Sequence, residues 1–160
     1  MPVPLNIDDI DKLPRLNLPE FHFKFREDES GFAEIFDTFR KRYVKLTPEE
    51  WVRQNFALYL VNFQGYPQSR IKLEKSLKIS GSMKRCDIVY FDKSMNPEII
   101  VECKSADISL VNRTFSQVAM YNSLLKVKYL IITNGLTHYV TQIDYENNKF
   151  EFLNIIPKYK

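Results

Sequence analysis

The chain has 160 residues, of which 44% are apolar and 27% charged, and its formal net charge is +3. This is the composition of one folded globular domain, and it excludes wholesale disorder. The longest unbroken apolar run, 56–61, is far shorter than the roughly 20 residues of a membrane-spanning helix. Acids and prolines break up the apolar stretches of the first thirty residues, so we expect no secretory signal. Two cysteines, Cys86 and Cys103, do not make a disulfide scaffold, so we expect reduced thiols, a cytoplasmic location and no membrane partner.

Residues 1–46 are predicted to form an N-terminal extension with a β-hairpin, packed on the rest of the chain. Three phenylalanines alternate with polar residues over 21–25, which is the periodicity of a strand. An acidic, glycine-containing turn at 27–31 and a second apolar segment at 32–36 complete the predicted hairpin. The pattern of 37–44 is ambiguous.

A second region, 47–160, begins with a strong helix start. Thr47 is a suitable N-cap, Pro48 suits the first helical position, and Glu50 completes a capping box. The helix is predicted to end at 65–67, where glycine and proline follow one another closely. Apolar residues at helical spacing mark its buried face: Val52, Phe56, Tyr59, Leu60 and Phe63.

The rest of this region alternates strands with one further helix. The predicted elements are strands at 71–79, 86–91 and 98–104, a helix with an apolar stripe from Val111 to Leu125, a strand at 129–133, and a hairpin of strands at 138–144 and 150–156. In the first of these strands, Ile71, Leu73, Leu77 and Ile79 are expected to share one face. The order predicts an α/β fold whose mixed sheet has antiparallel hairpins and a parallel crossover through the second helix.

Charged residues on the apolar central strands are the strongest sign of chemistry. Strand alternation puts Glu102 and Lys104 on one face and Val101 and Cys103 on the other. Asp87 opens the neighbouring strand, so two carboxylates and an ammonium group can converge. The residues alone leave two interpretations open: a divalent-cation site with a lysine acting on a water, or a salt bridge between Glu102 and Lys104 at the strand end.

The spacing of Asp87 and the run Glu102-Cys103-Lys104 resembles that of the PD-(D/E)XK nuclease superfamily, with cysteine at 86 where the superfamily's name has proline. The segment from Gln117 to Tyr121 resembles the QxxxY motif of RecB-type members. Across 47–145 the chain resembles the N-terminal nuclease domain of type I restriction enzyme R subunits. From this resemblance we expect a stand-alone nuclease module without the helicase motor. The resemblance implies a restriction-endonuclease-like, three-layer α/β core with a mixed central sheet flanked by helices.

The resemblance also implies roles for individual residues. Asp87 and Glu102 would bind Mg²⁺, for which Mn²⁺ can substitute, and the backbone carbonyl of Cys103 would complete the shell. Lys104 would orient the attacking water or stabilise developing charge. Glu50 stands where many members place a first-helix carboxylate near the metal, with its capping-box role as the rival interpretation.

Substrate contacts are expected at two further places. Gln117 and Tyr121, four residues apart on the second helix, would hydrogen-bond the phosphate or support the site. The basic run 70–85, which includes Lys84 and Arg85, suits a phosphate backbone, while its one acid, Glu74, is expected at the surface.

These features predict a metal-dependent DNA nuclease that hydrolyses phosphodiester bonds in restriction, defence or repair. Its expected partners are DNA and other restriction or repair subunits, and a homo-oligomer stays open. The alternatives are a catalytically silent nucleic-acid-binding module and a nuclease subunit that is active only within a larger complex.

Overall fold

A computed structural model of the chain describes residues 2–79, 81–110 and 126–160. These ranges hold one α-helix, nine β-strands and two short 3₁₀ turns. The helix is α1 (Pro48–Asn62), and the strands are β1 (Phe25–Glu27), β2 (Ala33–Asp37), β3 (Arg42–Lys45), β4 (Ile71–Ile79), β5 (Ser82–Phe91), β6 (Pro97–Cys103), β7 (Tyr129–Thr133), β8 (His138–Asp144) and β9 (Lys149–Leu153). No helix in the described ranges combines the length and apolar character needed to cross a bilayer.

The N-terminal extension folds as an antiparallel sheet in the order β1-β2-β3, which confirms the predicted hairpin and adds a third strand from the ambiguous segment. The first strand begins only at Phe25, later than the phenylalanine alternation predicts. The reason is that the preceding phenylalanines pack on α1. Phe23 lies edge-on to Trp51 at 5.2 Å between ring centroids, and Phe21 lies 6.1 Å from Phe63.

The second sheet has six strands in the order β4-β5-β6-β7-β8-β9. The β6–β7 pair is parallel and every other pair is antiparallel, as the sequence predicts. The predicted second helix, with Gln117 and Tyr121, lies outside the described residues.

Helix α1 begins at Pro48 as predicted, and the Thr47 hydroxyl accepts a hydrogen bond from the Glu50 amide at 3.0 Å. The Glu50 side chain, predicted to complete a capping box, pairs with Arg40 and Arg53 instead. One core lies between α1 and the sheet and another covers the opposite face, so the central strands β5, β6 and β7 are buried on both sides. The α1-side core includes Val52, Phe56, Leu60, Ile88, Val101 and Ile131, and the opposite core includes Val89, Ile100, Leu130 and Ile132.

The prediction that apolar residues of β4 share one face is wrong. Leu73 belongs to the α1-side core, whereas Leu77 packs against the opposite core. The two faces exchange at Glu74, whose φ of 49° lies in the left-handed region that regular strands do not use.

The paired strand β5 shows the same exchange. Ile88 lies in the α1-side core and Cys86 in the opposite one. The pairs Leu73–Ile88 and Lys75–Cys86 keep the same register. The regular alternation of side chains between the two faces is therefore broken between these pairs, at Glu74 and Asp87. Both acidic side chains consequently face α1.

Candidate active site

The first turns of α1 supply the centre of a buried ion network. Arg53 is only 4% exposed, and its Nη2 donates to Oε1 of Glu49 at 2.9 Å and to Oδ1 of Asp87 at 2.8 Å. Its Nη1 pairs with Oε2 of Glu50. Burial alone would lower the pKa of Arg53, but Glu50 and Asp87 outweigh it and raise that pKa. One helical cation therefore holds acids from α1 and from β5.

Asp87 is held where β5 and β6 separate. The last residues paired between the two strands at this end are Ile88 and Val101, and beyond them Oδ2 of Asp87 accepts the Cys103 amide at 2.8 Å. The aspartate side chain thus replaces the missing strand partner of β6. Each carboxylate oxygen keeps lone pairs beyond these two hydrogen bonds, so Asp87 retains capacity to bind a cation.

Glu102 and Lys104 form the second part of the site at the end of β6. Nζ of Lys104 lies 3.1 Å from Oε1 of Glu102. Burial, and then the charge of Asp87, raises the pKa of Glu102 to about 7, although Lys104 acts to lower it. Burial lowers the pKa of Lys104, but Glu102, Glu49 and Asp87 together outweigh it and the net pKa is raised. Lys104 is therefore a cation at neutral pH.

The acid that α1 brings to this group is Glu49. Burial, followed by the charge of Asp87, raises the pKa of Glu49, and Lys104 is among the groups that lower it. Glu50 instead pairs with Arg40 and Arg53 and accepts from Nε2 of Gln54 at 3.0 Å. The structure therefore brings Glu49, rather than Glu50, next to Asp87. The sequence held a signal for this, because Glu49 lies seven residues before the core residue Phe56 and so on the sheet-facing stripe.

The network extends to Arg40, which the sequence did not single out, and to the basic run 70–85. Oε2 of Glu74 accepts from Nη1 of Arg40 at 2.8 Å, so Glu74 is part of the network and not the surface residue expected of it. Strands β4 and β5 form a basic hairpin. On this hairpin, Nε of Arg85 lies 3.7 Å from Oε1 of Glu74, which puts Arg85 on the α1 side. Lys84, its neighbour in an extended strand, lies on the opposite face.

The donor set fits a divalent cation. The network joins six carboxylates to four basic groups, which leaves an excess of negative charge. Among the described residues, no group of three or more His, Cys, Asp or Glu side chains is gathered closely enough to hold a metal unaided. One or two carboxylates, together with waters and substrate phosphate, are the ligands that Mg²⁺ commonly uses in proteins.

The two thiols do not compete for this role. Burial raises the pKa of Cys103 above its usual range and that of Cys86 to about 11, so both stay protonated at neutral pH. A protonated thiol is a poor metal ligand. The carbonyl of Cys103 is thus the atom of that residue that suits a hard cation.

In a comparison with known protein families, residues 48–157 match the family described as "Type I restriction enzyme R protein N terminus". The chain belongs to this family of type I restriction enzyme R protein N-termini. The family match covers α1 and all six strands of the larger sheet, and it leaves the N-terminal sheet β1-β2-β3 outside.

One solved structure similar to this chain is a fragment described as an HsdR subunit of a type I restriction enzyme from Vibrio vulnificus YJ016. The two share 21% sequence identity with a TM-score of 0.46, over 63% of this chain and 22% of that one. The chain thus spans about a fifth of the length of that relative. No curated protein matches it.

Proposed function

We propose that this chain is a metal-dependent nuclease that hydrolyses DNA phosphodiester bonds in restriction, defence or repair. The observation that carries the proposal is the convergence of Asp87 with the Glu102–Lys104 pair at the point where β5 and β6 separate. A salt bridge alone would account for Glu102 and Lys104, but it would not require Asp87 and Glu49 beside them.

Asp87 and Glu102 would hold Mg²⁺ or Mn²⁺, with the Cys103 carbonyl as a further oxygen donor. The bound cation would polarise the scissile phosphate and lower the pKa of the attacking water. The excess of carboxylates over basic groups supports this assignment, because a divalent cation neutralises charge that the protein itself does not.

The remaining chemistry falls to the protein's own groups. Lys104 is protonated at neutral pH, so it donates hydrogen bonds to the attacking water or to the phosphate and stabilises negative charge as it develops. Arg53 fixes one oxygen of Asp87 and one of Glu49 through the same nitrogen, which holds the two acids in place before substrate arrives.

The basic hairpin β4–β5 would supply the DNA contact. Because the strand faces exchange at Glu74 and Asp87, Lys78 and Arg85 share the α1 side, and Lys75 and Lys84 share the other. All four are exposed. The α1-side residues lie on the face to which Asp87 and Glu74 point, and they are the ones we propose to contact phosphate.

The proposal is tested by titrating Mn²⁺ into the protein calorimetrically and by following cleavage of a supercoiled plasmid in Mg²⁺. Asp87→Asn and Glu102→Gln should each weaken Mn²⁺ binding and abolish cleavage. Glu98→Gln removes an acid from the same strand as Glu102 without touching the site, and it should leave both properties unchanged. A parent protein that binds DNA but neither binds Mn²⁺ nor cuts would be a silent binding module, and the proposal would be wrong.

A further inference from the structure

Arg40 connects the N-terminal sheet to the candidate active site. It lies in the turn between β2 and β3, outside the segment that the family match covers, and its side chain is 13% exposed. Nη1 donates to Oε2 of Glu74 at 2.8 Å, Nη2 pairs with Oε1 of Glu50, and Nε pairs with Oδ2 of Asp37. One guanidinium thus joins carboxylates of β2, α1 and β4.

The turn is built to hold this arginine. Asp37 is fully buried, and its Oδ1 accepts from the amide of Phe39 at 2.7 Å and from the amide of Arg40 at 3.0 Å. The same aspartate therefore fixes both the backbone and the side chain of Arg40. Three nitrogens of a planar guanidinium, each with its own carboxylate, make a contact that a lysine ammonium does not reproduce.

Two of the acids held by Arg40 also contact Arg53. Oε2 of Glu50 pairs with Nη1 of Arg53, and Oε1 of Glu74 lies 3.5 Å from the same nitrogen. Arg40 thereby shares the charge of Glu50 and Glu74 with Arg53. Without Arg40, Arg53 would be the nearest cation left to both acids, because Arg85 lies 3.7 Å from Glu74 and is exposed. We expect Glu50 and Glu74 then to pull the guanidinium of Arg53 away from Asp87.

We propose that Arg40 is a positioning residue and that the N-terminal sheet is part of the active site. Arg40 holds Glu50 and Glu74, these set the position of Arg53, and Arg53 fixes Asp87 and Glu49. The positioning of Asp87 by Arg40 does not depend on any activity, and only its effect on cleavage rests on the proposed nuclease function.

The amide of Cys103 reports directly on the position of Asp87, because it donates to Oδ2 of that residue. The chain has two cysteines, so selective ¹⁵N-cysteine labelling gives two backbone amide signals, from Cys103 and from Cys86. We expect Arg40→Gln to move the Cys103 signal toward its position in Asp87→Ala, while the Cys86 signal changes little. Arg26→Gln breaks an ion pair of the same N-terminal sheet with Glu34, away from the site, and should move neither signal.

A folded Arg40→Gln protein whose Cys103 signal stays at its parent position would overturn the proposal. If Arg40→Gln does not fold, Glu74→Gln tests the same link from the other side, since Glu74 contacts both arginines and its side chain is 27% exposed. An unmoved Cys103 signal in Glu74→Gln would equally count against the positioning role.

Cleavage provides the second readout. We expect Arg40→Gln to lower kcat about tenfold or more with KM for DNA within about twofold, because the acids are misplaced while the DNA-binding face is intact. Arg40→Lys should not restore the rate, and full rescue by lysine would show that charge alone matters. If the parent protein does not cut, the nuclease proposal fails, but the Cys103 signal still decides the role of Arg40.

Discussion

Nζ of Lys104 lies 3.1 Å from Oε1 of Glu102, and burial acts on the two groups in opposite directions. Burial, and then the charge of Asp87, raises the pKa of Glu102 to about 7. The pKa of Lys104 lies above its usual value because Glu102, Glu49 and Asp87 together outweigh burial. Near neutral pH, Lys104 is thus charged while Glu102 is partly protonated. In the proposed function, a bound cation would displace the proton of Glu102.

The first prediction is that Mn²⁺ affinity depends on pH through Glu102. With a pKa of about 7, the ionised fraction of Glu102 rises about tenfold between pH 6 and pH 8, and the affinity should rise by a similar factor. Calorimetric titrations at the two pH values measure this. The Glu102→Gln protein should bind weakly at both, and a parent affinity independent of pH would contradict the assignment.

A second prediction concerns stability without metal. The folded-state pKa of Glu102 lies above its ordinary value of 4.5. The protonated group therefore contributes fully to stability below pH 4.5, and this contribution is lost as pH rises through about 7. Glu102→Gln resembles the protonated form and lacks this loss. We expect the free energy of unfolding of the variant, measured relative to the parent, to be higher at pH 8 than at pH 5 by on the order of 1 kcal/mol.

Urea unfolding at both pH values gives the comparison, and Glu98→Gln serves as the control on the same strand. If the free energies of unfolding of Glu102→Gln and the parent differ by the same amount at pH 5 and at pH 8, Glu102 titrates in the folded protein as it does in the unfolded chain.

The third prediction is that Arg53 is essential to the fold as well as to the site. Arg53→Met leaves the buried carboxylate of Glu50 with one fewer cation and removes the hydrogen bonds that Arg53 donates to Asp87 and Glu49. We therefore expect the free energy of unfolding to fall by about 3 kcal/mol. Arg26→Met, at an exposed ion pair, should cost less than about 1 kcal/mol. Similar costs for the two changes would show that the Arg53 network contributes little.

The helix start, the strand order and the Asp87, Glu102 and Lys104 group could be predicted, because capping, periodicity and a short motif are local in sequence. The exchange of faces in β4 could not, since it depends on a left-handed φ at Glu74, a residue type with no particular preference for that conformation. That exchange determines which acids and lysines face α1.

The arginine network was equally beyond the sequence pattern. Arg40, Arg53 and Glu74 come from a turn, a helix and a strand that are distant in the chain, and only their folded proximity gives them a shared function. The choice between Glu49 and Glu50 depends on the rotation of α1, which is set by packing against the sheet. The capping argument correctly placed Glu50 near Thr47 but not next to Asp87.

The fourth prediction separates the two faces of the basic hairpin. Replacing Lys78 and Arg85 with alanine should lower the slope of log affinity for DNA against log salt by about 2, because two phosphate contacts are lost. Replacing Lys75 and Lys84, on the opposite face, should change the slope by less than half as much. Equal effects of the two double variants would mean that the hairpin attracts DNA by its overall charge.

The most direct test of the central claim is the single-turnover cleavage rate of Lys104→Ala at saturating Mn²⁺. Lys104 is a cation and cannot be a metal ligand, so the variant should bind Mn²⁺ at least as tightly as the parent. Its cleavage rate should fall about a hundredfold or more, the scale expected when one charge-stabilising donor is removed from a preorganised site. A Lys104→Ala protein that cleaves DNA at the parent rate would contradict the assignment of this site as a nuclease.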